Sequence, residues 1–179
     1  MSHVITVPAE VLRQPTQPVE AIDSRVLQVL KDMEDALLRA KDPQGVGLAA
    51  PQIGVSLRIF MIRPDPKKEI TTFINPEIIR FSQRQNSPTG KKGVYEGCLS
   101  LPHHYAPVKR STSVTIRYQK LEPRTYNLVP AQETLSGFAA HIVQHEMDHL
   151  NGILFIDRVL EQNAKLYKVE GKEWIEINL

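Results

Sequence analysis

His145-Glu146-Met147-Asp148-His149 sets two imidazoles four residues apart with a carboxylate beside the first. On an α-helix that spacing changes a side chain's direction by only about 40°, so both rings can reach one metal ion while Glu146 points to its side. Two ligands and a proton-transfer group are the equipment of metal-assisted hydrolysis. With 6 histidines in 179 residues, chance supplies only about 0.015 matches to this HExxH pattern. The local charge also favours a cation: between Arg124 and Arg158 there is no Lys or Arg, and Glu133, Glu146, Asp148 and Asp157 are the formal charges.

A four-coordinate catalytic metal that keeps one position open for water takes three protein ligands. Two sources for the third are open. Downstream carboxylates such as Asp157 and Glu161 would make an HExxH endopeptidase, although they follow no specific pattern. The other source is Cys98, in Glu96-Gly97-Cys98-Leu99-Ser100. It is the single cysteine, so an intrachain disulfide is impossible, and a lone cysteine in a reducing compartment is ordinarily a small buried apolar residue. Gly45-Val46-Gly47 lacks both the lysine of a phosphate loop and the third glycine of a dinucleotide fingerprint, so phosphate binding is not indicated.

Three segments, GVGLAAPQIG at 45–54, EGCLS at 96–100 and QHEMDHLNG at 144–152, resemble the ordered signature motifs of the peptide deformylases. Asn75-Pro76 and Leu154-Phe155-Ile156-Asp157-Arg158 extend the resemblance over most of the chain. The resemblance implies a hydrolase that removes the formyl group from N-formylmethionyl ends of new polypeptides and releases formate. It implies Cys98, His145 and His149 as ligands of one metal ion per chain. Cysteine and two histidines suit Zn²⁺ by their chemistry, whereas the family commonly works with Fe²⁺, with Zn²⁺, Ni²⁺ or Co²⁺ able to substitute. Fe²⁺ is the expectation.

By the same resemblance Glu146 takes a proton from the attacking water and returns one to the leaving amine. The Gln52 side-chain amide and the Leu99 backbone N–H stabilise the oxyanion. Turn-capping is the plainer role for Gln52. Gly45 and Gly47 allow an extended peptide to approach, and Val46, Val94, Phe138, His141 and Ile142 are candidates for a methionine pocket. Glu96 and Arg110 are expected to pair and hold the Cys98 segment. Asp148 either orients a ligand imidazole or makes a surface or capping contact. His103 and His104 are expected on a solvated loop, with substrate contact the alternative.

Several elements must position these groups. Val26, Leu30, Met33 and Leu37 give an amphipathic helix over Ser24 to Ala40, capped by Asp23 or Ser24 and stopped by Asp42-Pro43. Short β-rich stretches follow at Leu57 to Ile62, Thr71 to Ile74, Ile78 to Phe81, Ser113 to Tyr118 and Thr125 to Val129, parted by turn segments such as Asn86 to Gly90. A second helix runs from Thr134 or Ser136 to Leu150 and ends at Asn151-Gly152. It is apolar along two stripes, Phe138-Ile142-His145-His149 and Ala139-Val143-Met147-Leu150, so it should be buried on both sides. The tail from Leu166 to Leu179 breaks at Glu170-Gly171 and reads as a β-hairpin rather than a helix, so docking on the ribosome through a terminal helix is not expected. The fold class is α+β: antiparallel β-sheets packed around a central buried helix that carries HExxH, with an N-terminal amphipathic helix and a C-terminal hairpin.

Composition agrees with one domain spanning residues 1–179: 41% hydrophobic, 23% charged, net charge +2, and 13 prolines that call for many turns. Basic residues form only short clusters, Lys67-Lys68, Lys91-Lys92 and Lys109-Arg110, so a nucleic-acid surface is not expected. No apolar run approaches the roughly 18 residues of a membrane span, and Met1 to Glu20 has no basic start followed by an apolar core. A bacterial-type cytoplasmic enzyme acting on nascent peptides near the ribosome is the expectation, with a mature organellar form as the alternative.

Overall fold

Asp23 starts the first helix, its Oδ1 accepting the N–H of Val26 at 2.8 Å and so satisfying one of the donors that a helix N-terminus leaves unpaired. The computed structural model describes residues 3–41, 44–86, 94–122 and 124–178. Helix α1 (Ser24–Arg39) buries Val26, Val29, Met33, Ala36 and Leu37. Its buried stripe is turned one residue from expectation, because Val29 faces inward and Leu30 sits at the edge. Asp42-Pro43, the expected stop, lies outside the described residues; the helix already ends where Ala40 becomes extended.

Among the described residues, all of the strands pair antiparallel. One sheet has five strands in the order β1 (Gly47–Ala49), β2 (Ile59–Ile62), β3 (Thr71–Phe81), β6 (Ser113–Leu121), β7 (Leu128–Ser136). The other has four, in the order β4 (Glu96–Cys98), β5 (Leu101–Ala106), β8 (Leu166–Glu170), β9 (Glu173–Ile177). The first sheet is covered on both faces at β1 and β2. Leu48, Ile59, Met61 and Ile74 pack toward α1, while Ala49, Phe60, Ile62 and Phe73 pack toward helix α2 (Gly137–Leu150). Burial on both faces is why β2 reads Ile-Phe-Met-Ile with no polar alternation.

Helix α2 packs on β1, β2, β6 and β7, and every residue from Ala140 to Leu150 is buried. Its floor is an aromatic stack, Phe60 on Phe73 at 4.7 Å and Phe73 on Tyr118 at 4.5 Å between ring centroids. Asn151 caps the helix and Gly152 turns left-handed at φ 72°, as expected; a side chain there would meet the Arg13 carbonyl oxygen at 2.4 Å. Helix α3 (Phe155–Glu161) joins Cys98, Ala106 and Leu166 in a separate core cluster under the four-stranded sheet.

Several expectations are corrected. Thr71 to Ile74 and Ile78 to Phe81 form one strand, β3, whose pairing with β6 shifts register between Ile74 and Glu77. The shift absorbs Pro76, which has no N–H for the ladder, and Asn75 there exchanges two side-chain hydrogen bonds with the backbone of Val19. The stretch expected at Thr125 to Val129 is displaced to β7: residues 124–127 form the turn, and Thr134 to Ser136 still pair with β6, so α2 begins only at Gly137. Strands β1 and β4 and helix α3 were too short to show periodicity, and β5, Leu-Pro-His-His-Tyr-Ala, has no apolar–polar alternation to read. The C-terminal hairpin is present, with Gly171 in its turn at φ 62°. Residues 87–93, which include most of the expected Asn86 to Gly90 turn and Lys91-Lys92, lie outside the described residues, as does Leu179.

Candidate active site

Strand β1 is an edge of the five-stranded sheet and β4 an edge of the four-stranded one. Helix α2 supplies His145, Glu146 and His149, β4 supplies Glu96 and Cys98, and the turn after β1 supplies Gln52. Cys98 Sγ lies 3.2 Å from His149 Nε2, and one potential ligand atom from each of Cys98, His145 and His149 falls within 4.8 Å of the others. All three residues are buried. Burial alone would raise the Cys98 thiol, but the two imidazoles outweigh it and bring its pKa down to about 5. His145 is shifted the other way: burial opposes its charge, and Glu96 and Cys98 overcome that and raise its pKa.

The ligand-bearing segments are clamped by carboxylates and arginines. Glu96 Oε1 lies 2.7 Å from His145 Nδ1, which leaves Nε2 as the ring nitrogen free to face the thiol. Arg110 donates to both Glu96 oxygens, at 2.9 Å from Nε and 2.7 Å from Nη2, so the expected pair is formed. Asp148 does neither of the things expected of it. Its carboxylate accepts from Arg110 Nη1 at 2.6 Å and from Arg158 at 3.0 and 2.6 Å, because on α2 it faces the arginines rather than a ligand imidazole.

Gln52 fills the turn-capping role, and its amide nitrogen faces Cys98. Its Oε1 accepts the Ala49 N–H at 2.8 Å, a turn cap, and this turns Nε2 toward Ser100 Oγ at 3.2 Å and Cys98 Sγ at 3.7 Å. Glu146 is 3% exposed, and its Oε2 is buried without a hydrogen-bond partner among the described residues. Burial pushes its pKa up to about 7, against the pull of His145 and His149. Gly47 makes room for this carboxylate: a Cβ there would sit 2.2 Å from Glu146 Oε1 and 2.7 Å from Ile142 Cγ2.

A cavity of about 190 Å³ opens beside these groups. That is small against the roughly 300–1,000 Å³ of drug-sized sites, and suits one amino-acid side chain. Val46, Gly47, Val94, Phe138, His141 and Ile142 all line it, as do Gln52, Leu99 and Glu146. Gly45 does not. It packs against the end of α1, where a Cβ would meet the Leu37 carbonyl oxygen at 2.5 Å. His141 also touches the clamp, with Nε2 2.8 Å from Glu96 Oε2 but out of line for a hydrogen bond, and Nδ1 3.3 Å from Asn86 Nδ2. His103 and His104 lie on β5 rather than on a loop, because β5 pairs with β4 and β8 there. Residues not anticipated include Ser100, whose N–H points at Cys98 Sγ at 3.4 Å, and Tyr95 and Tyr105 in the cavity wall. Ser100 and Tyr95 are at or next to the EGCLS motif, so only Tyr105 had no signal nearby.

The donor set fits a divalent transition metal: one thiolate and two imidazoles converge, and the outer nitrogen of His145 is held by a carboxylate. A cysteine-and-histidine metal site with a buried carboxylate at a small apolar cavity, framed by edge strands, defines the class as a metal-dependent hydrolase. A sequence profile described as polypeptide deformylase matches residues 1–165. The chain belongs to the peptide deformylase family, hydrolases that remove the N-formyl group from nascent polypeptides. It is 36% identical to the peptide deformylase of Desulfotalea psychrophila over 175 residues, covering 96% of this chain and 95% of that one. It is 40% identical to that of Bartonella henselae over 161 residues, covering 88% and 83%. Among solved structures, the Thermotoga maritima peptide deformylase superposes with a TM-score of 0.75 at 33% identity, covering 88% and 97% of the two chains. The actinonin-bound class I type b peptide deformylase of Acinetobacter baumannii gives 0.74 at 32% identity, covering 89% and 98%. No helix among the described residues is long and apolar enough to cross a membrane.

Proposed function

We propose that Cys98, His145 and His149 hold one Fe²⁺ ion, and that Glu146 moves the protons of deformylation. When bound, the ion supplies Lewis-acid activation of water and of the formyl oxygen. Glu146 accepts the proton of the attacking water and passes one to the leaving amine; its unpartnered Oε2 beside the three ligands is the observation that carries this reading. The Gln52 amide, turned by the Ala49 N–H, and the Leu99 N–H donate to the oxyanion. Val46, Val94, Phe138, His141 and Ile142 receive the methionine side chain, while Gly47 lets the extended substrate lie along β1. Edge strands suit this, since their outer N–H and C=O groups pair with an added chain.

The endopeptidase alternative loses its third ligand. Asp157 is engaged by Arg13 and by the Leu154 N–H, and Glu161 by Arg158. Zn²⁺, Ni²⁺ or Co²⁺ can occupy the same donors. We further propose that residues 1–179 act as one catalytic domain in a bacterial-type cytoplasm, meeting formylmethionyl chains near the ribosome. Formate release from formyl-Met-Ala-Ser, with metal analysis on the same anaerobic preparation, tests the assignment. Turnover with one metal per chain is expected, and a metal-loaded but inactive protein would sink it.

A further inference from the structure

We propose that Ser100 is a positioning residue for deformylation: its hydroxyl tethers the Gln52 amide and keeps it off the Cys98 sulfur, so that one amide N–H stays available to the oxyanion. Ser100 is fully buried, in the turn that follows β4. Its backbone is fixed from two sides. The carbonyl accepts the Val7 N–H at 3.0 Å, and its own N–H points at Cys98 Sγ at 3.4 Å. The hydroxyl is thereby delivered 3.2 Å from Gln52 Nε2, where the amide donates to it.

Two acceptors compete for this amide. The Ala49 N–H pins Oε1 at 2.8 Å, which leaves Nε2 with two N–H groups between Ser100 Oγ and Cys98 Sγ. Cysteine binds a metal as the thiolate, and hydrogen bonds to an ionised acceptor are about twice as strong as neutral ones. Without the hydroxyl, the amide would close on the sulfur. Instead Nε2 stands 3.7 Å from Sγ, further away than the Ser100 backbone nitrogen at 3.4 Å, while its contact with the hydroxyl is of ordinary length. Held there, the second N–H makes only a weak bond to sulfur and can be drawn to a substrate oxygen in the cavity that Gln52 lines. Ser100 is not part of that cavity wall, so it acts through Gln52 rather than on the substrate.

This role rests on Gln52 as an oxyanion donor, and the test keeps the two apart. Wild type, Ser100→Ala, Gln52→Ala and the double variant are loaded with Co²⁺, assayed on formyl-Met-Ala-Ser and compared by their sulfur-to-metal charge-transfer absorption. Ser100→Ala should lower kcat about 2- to 12-fold, the weight of one neutral hydrogen bond, with KM and metal content unchanged. In the Gln52→Ala background the same substitution should cost nothing further, because residues acting as one unit do not add. A purely structural role would cost as much in both backgrounds; that result, or no loss in either, would overturn the proposal. The charge-transfer band of Ser100→Ala should move to higher energy, since the released amide now donates to the sulfur and stabilises its electrons. The double variant, which has no amide to release, should keep the band of Gln52→Ala. A band unmoved in Ser100→Ala would equally reject the tether. Full activity in Gln52→Ala would strike the oxyanion reading instead, and the spectrum would then decide for or against Ser100 by itself. Ser100→Gly deletes the same hydroxyl and takes the place of the alanine variant should that fail to fold.

Discussion

Glu96 joins the two halves of the site: one carboxylate oxygen lies 2.7 Å from Nδ1 of His145 while Arg110 grips both oxygens. Burial opposes the charge, but Arg110 and His145 hold the Glu96 carboxyl well below its ordinary value. A group depressed in this way stabilises the fold above its unfolded pKa, and that stabilisation is lost only as pH falls through the depressed value. Glu96→Gln should therefore weaken metal binding about 10- to 100-fold and flatten the acid limb of the stability curve. Arg110→Met leaves Glu96 and Asp148 as buried charges missing a partner and should destabilise by about 3–5 kcal/mol. A double-mutant cycle on metal affinity checks whether the pair acts as one unit; additive effects would show that it does not.

Gly47→Ala is expected to silence the enzyme without emptying it. The added Cβ would stand 2.2 Å from Glu146 Oε1, so the carboxylate must move, whereas none of the three atoms nearest to it belongs to Cys98, His145 or His149. Metal content should stay near one per chain while kcat falls by about 10²–10⁴, the range for losing a positioned proton-transfer group.

Metal uptake should release protons from a histidine rather than from the cysteine. In the metal-free site the Cys98 thiol has a pKa of about 5, so it is already ionised at pH 7, and Glu96 and Cys98 favour the protonated form of His145. Loading Zn²⁺ into Glu146→Gln at pH 7 in weak buffer should release protons, since a ligand imidazole must be neutral. Absence of thiolate absorbance from the metal-free protein at pH 7 would show that the thiol had been protonated.

Glu146 must be ionised to accept a proton, so activity should decline as pH falls through its pKa. Burial places that pKa at about 7 without a cation, and a bound cation can only lower it. The acid limb of kcat/KM should accordingly have its midpoint below pH 7. Glu146→Gln should keep the metal and lose both the limb and the activity; a surviving limb with the same midpoint would assign it to another group.

Gln52→Ala removes an oxyanion donor and a turn cap together. It should lower kcat about 10²–10³-fold and cost about 1 kcal/mol of stability for the unsatisfied Ala49 N–H. Gln52→Glu keeps the acceptor for Ala49 but puts a buried carboxylate beside the Cys98 thiolate in place of the amide donor, so it should restore neither the rate nor the full stability.

Helix α2 and its chemistry were legible because they are local. Four-residue spacing sets the directions of His145 and His149 wherever the helix lies, and apolar residues on two stripes require burial on both sides. Asp23 as cap, the Asn151-Gly152 stop and the C-terminal hairpin are local in the same sense. Strands of three residues such as β1 and β4 carry no periodicity of their own and exist through their pairing partners. The start of α2 moved to Gly137 for that reason, since β7 pairs with β6 as far as Ser136.

The sequence by itself determined the two imidazoles, the carboxylate beside them and, through its motifs, the family. Only the tertiary structure decided which groups complete the site. Cys98 and His149 are separated by 51 residues along the chain and Glu96 and His145 by 49, so their meeting depends on how the edge strand lies against the helix. Asp148 and Glu96 are alike as carboxylates in the sequence. The rotation of α2 turns Asp148 toward Arg110 and Arg158, while β4 delivers Glu96 to the imidazole, because side-chain direction follows from the packing of whole elements.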